Sequence, residues 1–315
     1  MQVQEGDIIS ATTPLTMKVS RTFALSLPTM KFRRGEIVAV VGPNGSGKSS
    51  TLRLLAGLDA PNTGDVLLSE SPSAPMVPLA ARKNIYSVGF VSHAPGQWSY
   101  KLRERLIYDS ALCGTPPKEV IPQVEFWLQR LDLQAQFDKT WKAMSAGYRM
   151  RCAIARQLIC GPALLVLDEP IGPLDIAAQR VVLQQLREIA SHPSLRVAIV
   201  VSSQHLHEIE SIADTLLILR NGQTTWYGPR QGFGEQFTSA LFEVGTSEPQ
   251  RLVRLAQSLG YTVVHVDELG VQIQCPRSLS SADFLTSLVQ GGIPIGHFRD
   301  LSQSSARVAM GQGAA

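Results

Sequence analysis

The sequence predicts an α/β fold: a core built on a mixed β-sheet, a helical insertion within that core, and a small α+β domain after it. Three observations carry this expectation. A continuous β-branched run, Ile37–Val41, leads into a glycine-rich loop and then a helix-forming stretch. From residue 164 onward, strand-like and helix-like segments alternate, the pattern of layered α/β domains. Beyond a glycine-dense linker at residues 228–234 the pattern starts afresh. With 315 residues, 44% hydrophobic and 17% charged, the chain can bury two cores and is not disordered as a whole.

Taken in order, residues 7–41 read as β structure. Pro28, Met30 and Phe32 alternate with Thr29, Lys31 and Arg33, the period of a half-buried strand. Arg34-Gly35 marks a turn, and residues 37–41 suit a strand buried on both faces of a parallel sheet. A helix is expected over 49–58, closed by Gly57 and Pro61. Residues 64–68 and 85–91 read as a hairpin-like pair around the Ser- and Pro-rich loop 69–78. Residues 97–143 carry helical spacing, so a helical subdomain is expected at about 94–160. A helix over 146–160, a strand over 164–167, a helix over 176–190 and a strand over 196–201 follow. Residues 216–219 and 224–227 close a hairpin around Asn221-Gly222, a type I′ turn signal. After Gly245 come a helix (249–259), two strands (261–266, 270–274), a helix (281–290) and a strand (293–298), a βαβ-like unit. The expected domains are therefore 1–240 and 245–300, with a frayed Ser/Gly/Ala-rich tail at 301–315.

Composition excludes several functions. A net charge of +3 is too small a bias for a nucleic-acid partner, which needs a dense basic patch. No apolar run reaches about 18 residues, so no membrane-spanning helix is expected, and the first ten residues lack the pattern of a signal peptide. Cys113, Cys152, Cys160 and Cys275 form no C-x-x-C pair and have no His at zinc-ligand spacing. Free thiols in a reducing compartment are the expectation. His205 and His207 read as solvated surface.

The segment Gly42-Pro43-Asn44-Gly45-Ser46-Gly47-Lys48-Ser49, with Ser50 following into the helix, fits G-x-x-x-x-G-K-[ST]. Glycines let backbone N–H groups turn inward around an anion, and the helix N-terminus adds positive potential. Lys48 is expected to reach the β- and γ-phosphates of a nucleotide, and the Ser49 hydroxyl to bind Mg²⁺. A chance glycine loop is the bland alternative, and the flanking strand and helix argue against it. The apolar run at 164–167 ends in Asp168-Glu169. Asp168 is the candidate for the Mg²⁺ shell and Glu169 the candidate that orients and activates an attacking water. A plain surface turn is the alternative here.

Between these motifs lies Met144-Ser145-Ala146-Gly147-Tyr148, opening a helix about 20 residues before the Asp-Glu pair. Here the chain resembles the ATP-binding subunits of ABC transporters, whose signature is L-S-G-G-Q. The resemblance covers about residues 12–230 and implies a P-loop ABC ATPase core that binds ATP and Mg²⁺. It implies that Ser145 and Gly147 contact the γ-phosphate held by a second subunit, and that Asp175, in Gly172-Pro173-Leu174-Asp175, lies at the dimer interface. Met144, Ala146 and Tyr148 depart from the signature; the looser form is similar to exporter-type members. Three further positions depart. Val19 stands where the family places an aromatic that stacks on adenine, with Phe23 the nearest aromatic. His93 stands in the place of the Q-loop glutamine. Gln204 stands in the place of the switch histidine, with His205 one residue later. Residues 245–300 resemble the small C-terminal domain of exporter-type members, with a generic α/β appendage equally compatible.

The resemblance implies an ATP-hydrolysing subunit that powers an exporter through a separate transmembrane permease. It would work as a homodimer or heterodimer, in the cytoplasm on the inner face of the membrane, and slowly because of Gln204. A weakly active or non-catalytic regulatory subunit is the main alternative. A soluble ABC ATPase outside transport is a lesser one.

Overall fold

In a computed structural model the described residues are 7–71, 73–82, 84–204, 206–233, 239–267 and 270–302. The chain divides into two compact units, residues 1–227 and 228–315.

Among the described residues the first unit holds twelve strands, the last of which runs two residues past its end: β1 (Asp7–Ala11), β2 (Leu15–Lys18), β3 (Ala24–Leu27), β4 (Met30–Arg33), β5 (Ile37–Val41), β6 (Leu67–Leu68), β7 (Val77–Pro78), β8 (Val88–Val91), β9 (Leu164–Leu167), β10 (Ala198–Ser203), β11 (Thr215–Arg220) and β12 (Gln223–Pro229). Its helices are α1 (Lys48–Leu55), α2 (Leu102–Leu112), α3 (Pro117–Arg130), α4 (Ala146–Leu158), α5 (Ile176–Ser191) and the single turn α6 (Leu206–Ile209). The large sheet has the order β2-β3-β12-β11-β5-β10-β9-β8, and β11, β5, β10, β9 and β8 run parallel. A smaller antiparallel sheet has the order β4-β1-β6-β7.

The unbroken apolar run of β5 is buried at every position, as a central parallel strand requires. In β4 the buried residues are Met30 and Phe32, on the expected alternation. The turn between β11 and β12 has positive φ at Asn221 (48°) and Gly222 (78°), the geometry that Asn-Gly supplies at least cost.

One expected pairing is corrected. Residues 64–68 and 85–91 do not pair: β6 joins β1 and β7, whereas β8 lies parallel to β9 in the large sheet. A parallel partner needs a long crossover, and the crossover from β8 to β9 is the whole helical insertion. Closeness in sequence favoured the hairpin reading; β8 instead takes β9, on the far side of the insertion, as its parallel partner.

Within that insertion, Asp109 on α2 is buried and shared by Arg105 of the same helix and Arg156 of α4, whose Nε lies 2.7 Å from Asp109 Oδ2. Gln123 of α3 accepts from Ser110 Oγ (2.7 Å) and donates to the Ile159 carbonyl (2.8 Å). These bonds lock the three helices with every buried polar group involved paired. The free-thiol expectation is also corrected: Cys113 after α2 and Cys160 after α4 form a disulfide, with Cα atoms 5.3 Å apart. Short-range cysteine spacing cannot reveal a pair 47 residues apart. Cys152 and Cys275 are buried free thiols, as expected.

The second unit contains β13 (Ser239–Gly245), α7 (Pro249–Ser258), β14 (Thr262–Val266), β15 (Val271–Pro276), α8 (Ser281–Gln290) and β16 (His297–Asp300). The sheet order β14-β15-β13-β16, antiparallel throughout, makes this a βαββαβ unit rather than the βαβ-like one expected. Strand β13 begins six residues before the expected start at 245 and holds the sheet's centre, so the unit division falls at 227/228 rather than near 240. Phe242 of β13 stacks on Phe284 of α8 with ring centroids 4.7 Å apart, over Leu252 and Ala256 of α7. Most of the Ser- and Gly-rich tail, residues 303–315, lies outside the described residues.

Candidate nucleotide-binding site

The loop between β5 and α1 is shaped by its glycines. Gly45 and Gly47 hold φ of 76° and 104°, open to glycine and strained for other residues. A Cβ on Gly47 would lie 2.5 Å from Leu25 Cδ1, and one on Gly42 would collide with the Leu219 carbonyl oxygen. The loop is therefore pressed against β3 and β11. Gly222 N donates to the Ser46 carbonyl (3.0 Å), fixing it from the β11–β12 turn. Lys48 is buried. Its Nζ donates to the carbonyls of Gly42 (2.9 Å) and Pro43 (3.3 Å) and pairs with Glu169 Oε1 at 3.2 Å. The Ser46 hydroxyl is buried without a hydrogen-bond partner, an unspent polar group in the cradle. Pro43, Asn44 and Ser49 are exposed, and Ser50 is half-buried.

Strand β9 delivers the two carboxylates. Asp168 is buried and its N–H donates to the Val91 carbonyl (2.9 Å). Glu169 sits at φ 47°, a left-handed conformation unusual for a residue with a side chain. From β10, Ser202 Oγ donates to Asp168 Oδ1 (2.8 Å) and accepts from Glu169 N–H (2.9 Å). Gln204 Nε2 donates to Glu169 Oε2 at 3.1 Å. Burial favours the neutral form of Glu169. Hydrogen bonds from Gln204 and Lys48 and the charges of Lys48 and His93 outweigh it, so its carboxyl sits below the ordinary value. Glu169, Gly172, Gln204 and Glu208 line a cavity of about 180 Å³, into which Ser203 presents a hydroxyl bonded to Glu208. A larger groove of about 620 Å³, lined by Leu128, Phe137 and Asp138 among others, lies on the helical insertion and contains none of these groups.

Lys48, Asp168, Glu169 and Gln204 are thus brought together by β5, β9 and β10. Ser145, Gly147 and Asp175 form a second set. Ser145 caps α4, accepting from Tyr148 N–H, and Asp175 caps α5, accepting from Ala178 N–H at 2.8 Å. Gly147 is buried with Ala178 against it, where an added Cβ would meet Ala178 Cβ at 3.0 Å. Both capping side chains are exposed. His93 is exposed after β8, close enough for its charge to act on Glu169. His205 lies outside the described residues.

Val19 is 43% exposed in the β2–β3 turn, which closes through Val19 N–H to the Phe23 carbonyl (3.0 Å). Phe23 is half-buried with its ring edge at the phosphate-loop glycine: a Cβ on Gly47 would lie 3.3 Å from Phe23 Cζ. Ser202 and Glu208 escaped the sequence reading as site residues. The available signal for Ser202 was the pair of hydroxyls, Ser202 and Ser203, that ends the apolar run of β10.

No group of three or more His, Cys, Asp or Glu among the described residues could hold a metal ion by itself. Asp168 keeps its second oxygen free of Ser202, and Ser49 adds a hydroxyl. Two hard oxygens suit Mg²⁺, which completes its shell with water and phosphate oxygens. No described helix is long and apolar enough to cross a membrane.

A glycine loop pressed between strand and helix, with its lysine paired to the carboxylate ending the next-but-one strand, defines a P-loop nucleotide-binding protein. The family model described as ABC transporter matches residues 25–172. The chain is 26% identical over 273 residues to YxlF of Bacillus subtilis, named as an uncharacterized ABC transporter ATP-binding protein, covering 85% of this chain and 87% of that one. It is 30% identical over 215 residues to the sulfate/thiosulfate import ATP-binding protein CysA of Thermosynechococcus vestitus, covering 67% of this chain and 62% of that one. Among solved structures, cbiO1 from Clostridium perfringens, part of the ABC transporter complex cbiONQ, superposes with a TM-score of 0.65 at 25% identity, covering 74% of this chain and 92% of that one. The family model, the relatives and the solved structure together support an ATP-binding subunit of an ABC transporter with an ABC ATPase fold.

Proposed function

We propose that the chain hydrolyses MgATP to power a membrane exporter through a separate permease, at sites shared between two ATP-binding subunits. The observation that carries this reading is Glu169: a charged carboxylate at the end of β9, gripped by Lys48 and Gln204 beside a small cavity. Lys48 exchanges its loop carbonyls for phosphate oxygens, Glu169 accepts a proton from the attacking water, and Asp168 with Ser49 would hold Mg²⁺, which when bound would supply positive charge at the phosphates.

The exposed caps Ser145 and Asp175 support a two-subunit site, because they stand at adjoining helix N-termini that favour a partner's phosphate. Homodimer and heterodimer both satisfy it. The subunit would sit in the cytoplasm, peripheral to the membrane at its permease.

The direction of transport is the finer part of the proposal. The import protein cited above matches two thirds of this chain, whereas the YxlF match extends over 85% and so reaches the βαββαβ unit. Extent of match does not divide exporters from importers, because another import protein aligns over 78% of this chain; the loosened signature at 144–148 is what supports the export reading. A weakly active regulatory subunit is the second reading, favoured by Gln204, Tyr148 and Val19.

Phosphate release from MgATP tests catalysis: the wild type turns over and Glu169→Gln falls at least about a hundredfold. Equal rates in the two favour the regulatory reading. Direction is tested in vesicles holding the permease with ATP-binding subunits outward. ATP-driven uptake of cargo means export; ATP-driven release of preloaded cargo means import.

A further inference from the structure

We infer that Ser202 is a positioning residue for catalysis, a single hydroxyl that sets the two carboxylates of the site relative to one another. The inference rests on the reading of Glu169 as the general base.

Ser202 is fully buried on β10, between the neighbours β5 and β9. A hydroxyl has one donor and two acceptor positions. The donor goes to Asp168 Oδ1 at 2.8 Å and one acceptor takes the Glu169 N–H at 2.9 Å. Neither bond belongs to the sheet ladder, which pairs β10 with β9 only as far as Val201↔Leu167. Beyond that last pair, Ser202 continues the connection with a side chain in place of a backbone group.

The position explains two features of the site. Glu169 turns sharply out of β9 into a left-handed conformation, φ 47°, which is unfavourable for a residue with a Cβ. The bond from its N–H to Ser202 holds the backbone at the start of that turn. Asp168 has one oxygen committed to Ser202, which fixes the carboxylate plane and leaves the other oxygen free. The side chain of Glu169 is then aimed by Lys48 and Gln204, both of which act on a carboxylate whose backbone is already set. Alanine, valine or isoleucine would fill the same strand position with less polar cost. A buried hydroxyl spending both functions on adjacent carboxylate residues fits orientation better than packing.

The test uses the full-length protein with Ser202→Ala and Ser202→Cys. Displacement of a catalytic group by about an ångström costs up to a hundredfold. In Ser202→Ala, kcat for MgATP should fall tenfold to a hundredfold, with KM and the equilibrium affinity for a fluorescent ATP analogue both within threefold of wild type. Ser202→Cys keeps the volume approximately with a weaker donor and acceptor, and should fall between the two. Full turnover in either variant overturns the proposal, as does a loss of affinity matching the loss of rate. Should the alanine variant fail to fold, the cysteine variant decides alone by the same measures. Glu169→Gln separates the two levels. If that variant hydrolyses ATP at the wild-type rate, the reading of the site has failed; if it is inactive while Ser202→Ala is fully active, only the positioning role has.

Discussion

Gln204 is a neutral amide where the family resemblance calls for a histidine, and its bond to Glu169 Oε2 defines what that exchange does. An amide donates at every pH, so the contact neither strengthens on acidification nor shuttles a proton. Gln204→His should raise turnover by about tenfold and introduce a pH-dependent step above the unperturbed histidine value of about 6.5. Beside Glu169 the imidazole pKa is raised, so its charge-assisted contact is complete below the unfolded value and lost as pH rises through the folded one. A wild-type rate flat between pH 6 and 8 is the comparison, with His205→Ala as the control for register. Phe23 offers a second residue-scale measurement. Stacking of a base on an aromatic is worth about 1–3 kcal/mol, and the Phe23 ring borders the phosphate-loop glycine while Val19 has none to offer. Phe23→Ala should weaken ATP binding between about fivefold and a hundredfold, and Val19→Ala should leave it unchanged. Titration calorimetry reads both. Equal affinity in the Phe23 variant would leave the base held by phosphate contacts alone, with ATP and GTP bound within a few-fold.

At the scale of elements, the helical insertion shows how α4 is fixed while its N-terminus stays exposed. Asp109, Arg105 and Arg156 join α2 to α4 by buried ion pairs, and the Cys113–Cys160 disulfide closes the far ends of the same two helices. A cross-link over 47 residues is worth about 2–4 kcal/mol by restricting the unfolded chain. Reduction should therefore lower the unfolding midpoint of the protein, and Cys113→Ser should lower it equally and remove the response to reductant. Cysteine labelling gives a second count. Burial pushes the Cys152 and Cys275 thiols up to about 12, so neither forms the reactive thiolate at neutral pH. The native oxidised protein should take up no iodoacetamide, the reduced native protein should label only at Cys113 and Cys160, and the unfolded reduced protein at all four. Labelling at four sites in the folded oxidised protein would contradict both the disulfide and the burial.

For the whole molecule, the division at 227/228 sets where the chain can be cut. Every residue named in the nucleotide site precedes it. Truncation after Pro229 keeps β12 whole and should leave a soluble, cooperatively folding, nucleotide-binding core. Truncation after Glu243, inside β13, strands the apolar Leu241 and Phe242 without β15 and β16 beside them. That fragment should bind nucleotide but aggregate, as an unpaired apolar strand does. Loss of ATP binding in the soluble shorter fragment would show that the second unit is needed at the site. Light scattering and nucleotide titration on the two fragments make the comparison.

The sequence by itself determined the phosphate loop, the carboxylate pair and most of the elements around them. Their residues carry conformational demands that hold locally. Gly47 is needed because φ is 104° there, the run at 37–41 because both faces of β5 are covered, and Asn221-Gly222 because both φ values are positive. Tertiary structure alone decided which strands pair, where the second unit begins, and what Gln204 and Ser202 touch. The β6 and β8 segments look alike as apolar strands, and only the crossover through the helices sends them to different sheets. Strand β13 reads as the end of a linker until β15 and β16 are laid on either side. The disulfide, and the hydroxyl that bridges Asp168 and Glu169, join residues 47, 34 and 33 apart. Such contacts depend on how the chain returns to itself, and no local pattern of residues encodes that return.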